Sequence, residues 1–171
     1  MDEHSREIVF SSEHQDWTTP PGLFAQLDDE FRFNLDAAAT ELSAKCGVWY
    51  GPGSPDRVDA LSPYSWGDRE AVWLNPPYGR QVGQFVARAH QEAQEGATVV
   101  CLIFARTDTR WWHDHVMHAD EVRFIRGRVK FHRPGNPESS NAAPAPSAVV
   151  IWRPFGHGPP RFTAMEQNTE G

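Results

Sequence analysis

Four consecutive residues, Asn75, Pro76, Pro77 and Tyr78, follow the apolar run Val72-Trp73-Leu74 and precede Gly79. Asn75 offers a neutral side-chain carbonyl, Pro76 a backbone carbonyl on a residue with no N–H, and Tyr78 a flat aromatic face. Two acceptors and a stacking plate suit a planar ring that carries an exocyclic NH₂. The same residue types also make an ordinary strand exit, since Asn, Pro and Gly are common in turns. On either reading the prolines lack ladder donors and fix φ, so the chain must leave the sheet here, at the C-terminal edge where open α/β sheets hold ligands.

Two carboxylates could join this turn. Phe33-Asn34-Leu35 reads as a short strand ending at Asp36, and Ala37-Ala38-Ala39-Thr40-Glu41-Leu42 reads as a helix start with Asp36 at or near its cap. Strand, acid, helix opens many nucleoside-binding sheets, although a capping Asp gives the same pattern with no ligand. Asp59 lies in Val58-Asp59-Ala60-Leu61, a short strand or strand end ahead of the Asn75 strand. The basic run Arg123, Arg126, Arg128, Lys130 and Arg133 is either a solvated face or a phosphate-contacting one, and its arginines suit phosphate. Arg106 and Arg110 flank the polar exit of the apolar strand Ala97 to Phe104 and are nearer the expected catalytic edge.

These groups must be carried by a framework, and 171 residues are enough for one core. Thr19 can cap a helix that Pro20 opens and that places Leu23, Phe24, Leu27 and Phe31 on one face. Glu70 to Leu74 gives the Asn75 strand, residues 80 to 95 a helix, Ala97 to Phe104 a strand buried on both faces, and Trp111 to His118 a second helix. Glu121 to Ile125 and Ser147 to Trp152 supply further strands, with Val129-Lys130-Phe131 extending or pairing with the first of them. Residues 45 to 70 form a long aromatic-containing connection, residues 133 to 147 a mobile or extended loop, and residues from 153 onward an irregular tail. The expected organisation is a polar segment over 1–16 anchored by Val9 and Phe10, one α/β domain over 17–153, and a tail over 154–171.

Net charge is −7, against non-specific coating of nucleic acid, but the imbalance is local. Residues 1–70 hold 14 acids and 5 Lys/Arg, and residues 71–171 hold 9 acids and 11 Lys/Arg. Cys46 and Cys101 do not form a metal or disulfide pattern, and no metal is expected. The polar N-terminus does not resemble a signal peptide and no apolar run approaches the ~20 residues of a membrane span, so a soluble, cytoplasmic protein without membrane partners is expected.

The Asn75-Pro76-Pro77-Tyr78 turn resembles that of the amino-methyltransferases. The wider pattern resembles the small phage-type DNA N-6-adenine methyltransferases, the Dam-like phage family. The matching blocks are Trp17-Thr18-Thr19-Pro20, Leu35-Asp36-Ala37-Ala38-Ala39, Cys46 to Tyr50, Trp66, Val72 to Tyr78, Thr107 to Trp112 and Gly127 to Phe131. The resemblance implies a single Rossmann-like methyltransferase domain, with a mostly parallel mixed sheet, an antiparallel last strand and helices on both faces. It implies S-adenosylmethionine as cofactor and adenine N6 in the DNA of a bacterial cell or phage-infected host as target. Asn75, Pro76, Pro77 and Tyr78 become the catalytic turn, with Thr19, Pro20, Asp36, Ala37 and, more loosely, Asp59 at the cofactor. Arg106, Arg110, Arg128 and Lys130 become the DNA contacts. Transfer to a protein glutamine or to RNA is the rival within the same chemistry, and a non-catalytic DNA- or host-protein-binding module the rival outside it. One departure stands out: three alanines follow Asp36 where methyltransferases have a glycine-rich turn.

Overall fold

The computed structural model describes residues 17–67, 70–156 and 158–168. The expected polar segment 1–16, with Val9 and Phe10, lies outside the described residues. In chain order the elements are α1 (Pro21–Phe31), β1 (Leu35–Asp36), β2 (Ala71–Leu74), α2 (Val82–Gln94), β3 (Thr98–Phe104) and α3 (Arg110–His115). A 3₁₀ turn, Val116–His118, extends α3, and then come β4 (Glu121–Ile125), β5 (Lys130–Arg133), β6 (Asn136–Ala142), β7 (Ser147–Trp152) and β8 (Arg161–Met165).

Six strands form one sheet in the order β1-β2-β3-β7-β4-β8. β1, β2 and β3 are mutually parallel, while β7 runs antiparallel to both β3 and β4. β4 therefore points the same way as β3, and β8 is parallel to β4. This is an α/β fold with a mixed, mostly parallel sheet, and the ends of β1, β2, β3 and β4 all open on one edge.

β3 shows why the sheet must be covered on both faces. Val99, Cys101 and Ile103 pack into one core with Phe85, Val86 and Ala89 of α2 and Trp112 of α3. Val100, Leu102 and Phe104 alternate to the other side and pack with Leu23 and Leu27 of α1 and with Phe131 of β5. A strand apolar at six successive positions, Val99 to Phe104, is what two-sided burial demands. Glu121, the first residue of β4 and so at the end of the sheet opposite the edge where β1 to β4 open, is buried. Burial pushes its carboxyl up, but the hydrogen bonds and charge of Arg123 and Arg161 outweigh this and hold it at about 2.

Several expectations need correction. Asp36 caps no helix, and residues 37–47 contain bends and turns. The Ala37 N–H donates to Trp73 O at 3.0 Å and the Ala39 N–H to Tyr50 O at 2.9 Å, so the donors a helix would need are taken by neighbouring chain. Thr19 is not a cap either: α1 starts at Pro21 after Pro20 with no side-chain cap. The loop expected over 133 to 147 contains β6, which pairs with β5 as a separate two-stranded sheet rather than extending β4. The tail expected to be irregular supplies β8, where Arg161 to Met165 pair along the whole of β4. Val58 to Leu61 forms no strand.

Candidate active site

The end of β2 sets the position of Asn75. Val72 pairs with Leu35 and Trp73 with Asp36, so Asn75 leaves the sheet beside the last residue of β1. The segment around Trp49 adds to the outer side of β1: Asp36 N–H donates to Val48 O at 3.1 Å and Tyr50 N–H to Asp36 O at 2.9 Å. This gives the long connection a fixed course. Its far end is tied to α2, where buried Glu92 accepts from the Trp66 N–H at 3.1 Å and pairs with Arg88 at 2.6 Å. Arg88 also donates to the carbonyls of Ser62 and Tyr64. Sequence reading singled out neither Arg88 nor Glu92, whose i,i+4 spacing on a helix was the available signal.

Between these parts lies a cavity of about 230 Å³. Of the expected residues, Asn75, Pro77, Thr19, Asp36, Ala37 and Asp59 line it, and Pro76, Pro20 and Tyr78 do not. Trp17, Lys45, Tyr50, Trp73, Gln81 and Phe85 also line it and were not singled out as site residues from the sequence. They come from five separate stretches that no linear spacing connects.

Asp36 sits in the lining, 2% exposed. Its carboxylate accepts from Lys45 N–H at 3.0 Å and, more weakly, Ala38 N–H at 3.3 Å. Burial pushes its carboxyl up to about 7, against the lowering effect of those bonds and of the Lys45 charge. Lys45 is lowered, first by burial and then with partial compensation from Asp36. Burial also lifts the Cys46 thiol to about 12, which leaves it protonated and poorly nucleophilic at neutral pH. Asp59 is exposed at the lining, with one carboxylate oxygen accepting from Leu61 N–H at 2.9 Å.

Asn75 is held by its nitrogen. Nδ2 donates to Trp17 O at 3.0 Å and to the Thr19 hydroxyl at 3.1 Å, while the Tyr78 hydroxyl lies 3.4 Å from Oδ1. Tyr78 is buried, with its ring stacked on Phe104 at 4.3 Å and 13° and set edge-on to Phe131. Burial keeps its phenol well above the ordinary value, so it is a neutral hydroxyl.

The four expected DNA-contacting side chains lie outside the cavity lining. Arg106 follows β3 at the same sheet edge as Asn75, and its guanidinium lies 5.8 Å from the Phe104 ring centre. Arg110 is exposed at the start of α3. Arg128 and Lys130 follow β4, also at that edge, and are exposed on either side of buried Val129. Two other members of the basic run are engaged: Arg123 pairs with Glu30 and Glu121 at 2.7 Å, and Arg126 with Glu166 at 3.2 Å.

The cavity fits a nucleoside that carries a positive charge and an amino-acid tail. A buried carboxylate faces it, with Tyr50, Phe85 and Trp73 as apolar walls. Thr18 is also in the lining, with a buried hydroxyl that has no hydrogen-bond partner among the described residues. Room is left by the small residues Ala37, Ala38, Ala39 and Gly51. Among the described residues no group of His, Cys, Asp and Glu is arranged to hold a metal ion, and no helix is long and apolar enough to cross a membrane.

The chain is 30% identical over 121 residues to the DNA N-6-adenine-methyltransferase of Escherichia phage T1, a match covering 70% of this chain and 48% of that protein. It is 29% identical over 142 residues to the DNA N-6-adenine-methyltransferase of Haemophilus phage HP1 (strain HP1c1), covering 81% of this chain and 78% of that protein. The match thus spans about half the length of the phage T1 relative. The sequence model of the family described as DNA N-6-adenine-methyltransferase (Dam) matches residues 8–170, nearly the whole chain, and to that family this protein belongs.

Proposed function

We propose that this protein transfers a methyl group from S-adenosylmethionine to the exocyclic N6 of adenine in DNA. The observation that carries the reading is the meeting, in one cavity at the C-terminal edge of β1 and β2, of Asn75 and Pro77 with the buried Asp36. S-adenosylmethionine supplies a methyl group already activated on a sulfonium. Asp36, Ala37 and Asp59 would hold it, with Pro20 setting the turn into α1 behind Thr19.

The weak nucleophile is the adenine nitrogen, whose lone pair is delocalised into the ring. Asn75 Oδ1 and the Pro76 carbonyl each accept one N6 hydrogen, and that stabilises positive charge as it develops on nitrogen. Pro77 holds the carbonyl in place by its fixed φ. Alignment does most of the remaining work, and it is sterically unavailable inside a duplex, so the base is flipped out to reach the turn. Stacking of the flipped adenine on Tyr78 would require the ring to give up part of the packing against Phe104 and Phe131 that buries it. Arg106, Arg110, Arg128 and Lys130 at the same edge would contact phosphates.

The test is incubation with methyl-labelled cofactor and duplexes with or without adenine, followed by digestion to nucleosides. Label on N6-methyladenine is expected. Label on cytosine, on the protein itself, or on RNA alone would overturn the reading.

A further inference from the structure

We infer that Thr19 is a positioning residue: its buried hydroxyl takes the second Nδ2 hydrogen of Asn75 and so anchors the amide in the sense that the Trp17 carbonyl dictates, oxygen toward the substrate. This rests on the proposed acceptor role of Asn75.

An asparagine side chain has two ends of nearly equal size and opposite hydrogen-bonding sense. Only the oxygen can accept from an exocyclic NH₂; the nitrogen would set donor against donor. Asn75 must therefore be locked against rotation about its last bond. Both hydrogens of Nδ2 are engaged, one by Trp17 O at 3.0 Å and one by Thr19 Oγ1 at 3.1 Å. The amide has no donor left over, so what remains for a substrate is the oxygen. The flipped amide would lose the bond to the Trp17 carbonyl and press Oδ1 against that oxygen at the same short distance, and the Thr19 hydroxyl would have to turn from acceptor to donor.

The lock is built to hold. Trp17 is 3% and Thr19 1% exposed, so water is poorly placed to replace either acceptor. Thr18, between them, is pinned to β5 by two backbone bonds: its N–H donates to His132 O at 2.8 Å, and its O accepts from His132 N–H at 3.0 Å. The strap Trp17-Thr18-Thr19 cannot drift away from Asn75 without breaking that pair. Thr19 is also freed for this task, since α1 takes no side-chain cap from it. The competing role, direct contact with the cofactor, is open to Thr19 because it also lines the cavity.

Two substitutions separate the roles. Thr19→Val keeps the shape and removes the acceptor; Thr19→Ser keeps the acceptor. With one of the two bonds to Nδ2 lost and the weaker Tyr78 hydroxyl bond to Oδ1 kept, kcat for Thr19→Val is expected to fall about tenfold, the worth of one buried hydrogen bond. Cofactor Kd, measured by calorimetry, should stay within about twofold, and Thr19→Ser should recover most of the kcat. An unchanged kcat in Thr19→Val, an equal loss in both variants, or a loss residing wholly in cofactor Kd would overturn the inference. The wild-type protein gives a reading independent of turnover and of whether Thr19→Val folds. By nuclear magnetic resonance, both protons of the Asn75 side-chain NH₂ should be protected from solvent exchange, and exchange as fast as that of an exposed asparagine would overturn the lock. Should wild type place no label on adenine, the functional reading falls, and the NH₂ protection still decides whether Thr19 and Trp17 hold the amide.

Discussion

Gly51 approaches Ala39 so closely that a Cβ at position 51 would stand 1.8 Å from the Ala39 carbonyl oxygen. Both residues line the cavity, and Gly51 has φ +153°. The close backbone approach that a glycine-rich turn gives elsewhere is here supplied from the opposite side, by a glycine in the long connection facing a run of alanines. Gly51→Ala should cost about 2 kcal/mol or more of stability, because a backbone carbonyl cannot swing aside as a flexible side chain can. Urea unfolding checks this, and cofactor affinity should fall with it. An unaltered midpoint would mean that the two segments separate without cost.

Asp36 gives the fold a pH signature. Its carboxyl rises from 3.8 unfolded to about 7 folded, so between these values the folded state binds the extra proton. Stability is therefore undiminished by this group below pH ~4, falls as pH rises toward 7, and levels off above. Asp36→Asn removes the dependence, so variant minus wild-type stability should grow by on the order of 2–3 kcal/mol between pH 5 and 8. The difference isolates Asp36 from Glu121, held at about 2, whose contribution is lost only as pH falls below the ordinary carboxylate range in both proteins. A difference flat with pH would place the Asp36 carboxyl in contact with water.

The same carboxylate should make cofactor binding pH-dependent. Affinity of a cationic cofactor is expected to rise as pH passes upward through about 7 and Asp36 ionises, and Asp36→Asn should bind more weakly with no such rise. Calorimetric titration at three pH values reads this directly. Asp59→Ala is the companion variant, and unchanged affinity there would remove Asp59 from the site.

Asn75→Ala should raise the barrier to methyl transfer by about 3 kcal/mol, as loss of a single transition-state acceptor does. It also strips a partner from Trp17 O and from the Thr19 hydroxyl, so a stability loss of about 1–3 kcal/mol is expected beside it. Turnover is therefore compared at a temperature where both proteins are folded and saturated with cofactor. Near-full turnover would dismiss Asn75 as the acceptor.

Arg128 and Lys130, proposed as phosphate contacts, are exposed and carry no ion pair among the described residues, Arg128 donating to the Ala143 carbonyl at 3.4 Å. Arg128→Ala and Lys130→Ala should each weaken binding across DNA sequences and reduce the log-affinity against log-salt slope by about one unit. Arg126→Ala, which breaks an exposed pair with Glu166, is the control and should alter the slope less. Fluorescence anisotropy over a salt series distinguishes them; equal slopes in all four proteins would move the DNA surface to the aromatic segment from Cys46 to Trp66.

What the sequence determined by itself was local. An almost unbroken apolar strand, Ala97 to Phe104, has to be covered on both faces, and two prolines after Leu74 have to end a strand, whatever the rest of the chain does. The α/β class and a turn at a strand end followed from such features, and the family resemblance from the Asn75-Pro76-Pro77-Tyr78 turn and the blocks around it. Tertiary structure decided wherever two distant segments compete for the same backbone groups. Alanines 37 to 39 have high helix propensity, yet Trp73 and Tyr50 accept the amide hydrogens of Ala37 and Ala39, and the helix does not form. The β8 segment reads as tail because its strand character depends on β4 lying beside it. Thr19 fits a helix cap by its position in the chain; only the arrival of Asn75, 56 residues further on, gives its hydroxyl a different partner.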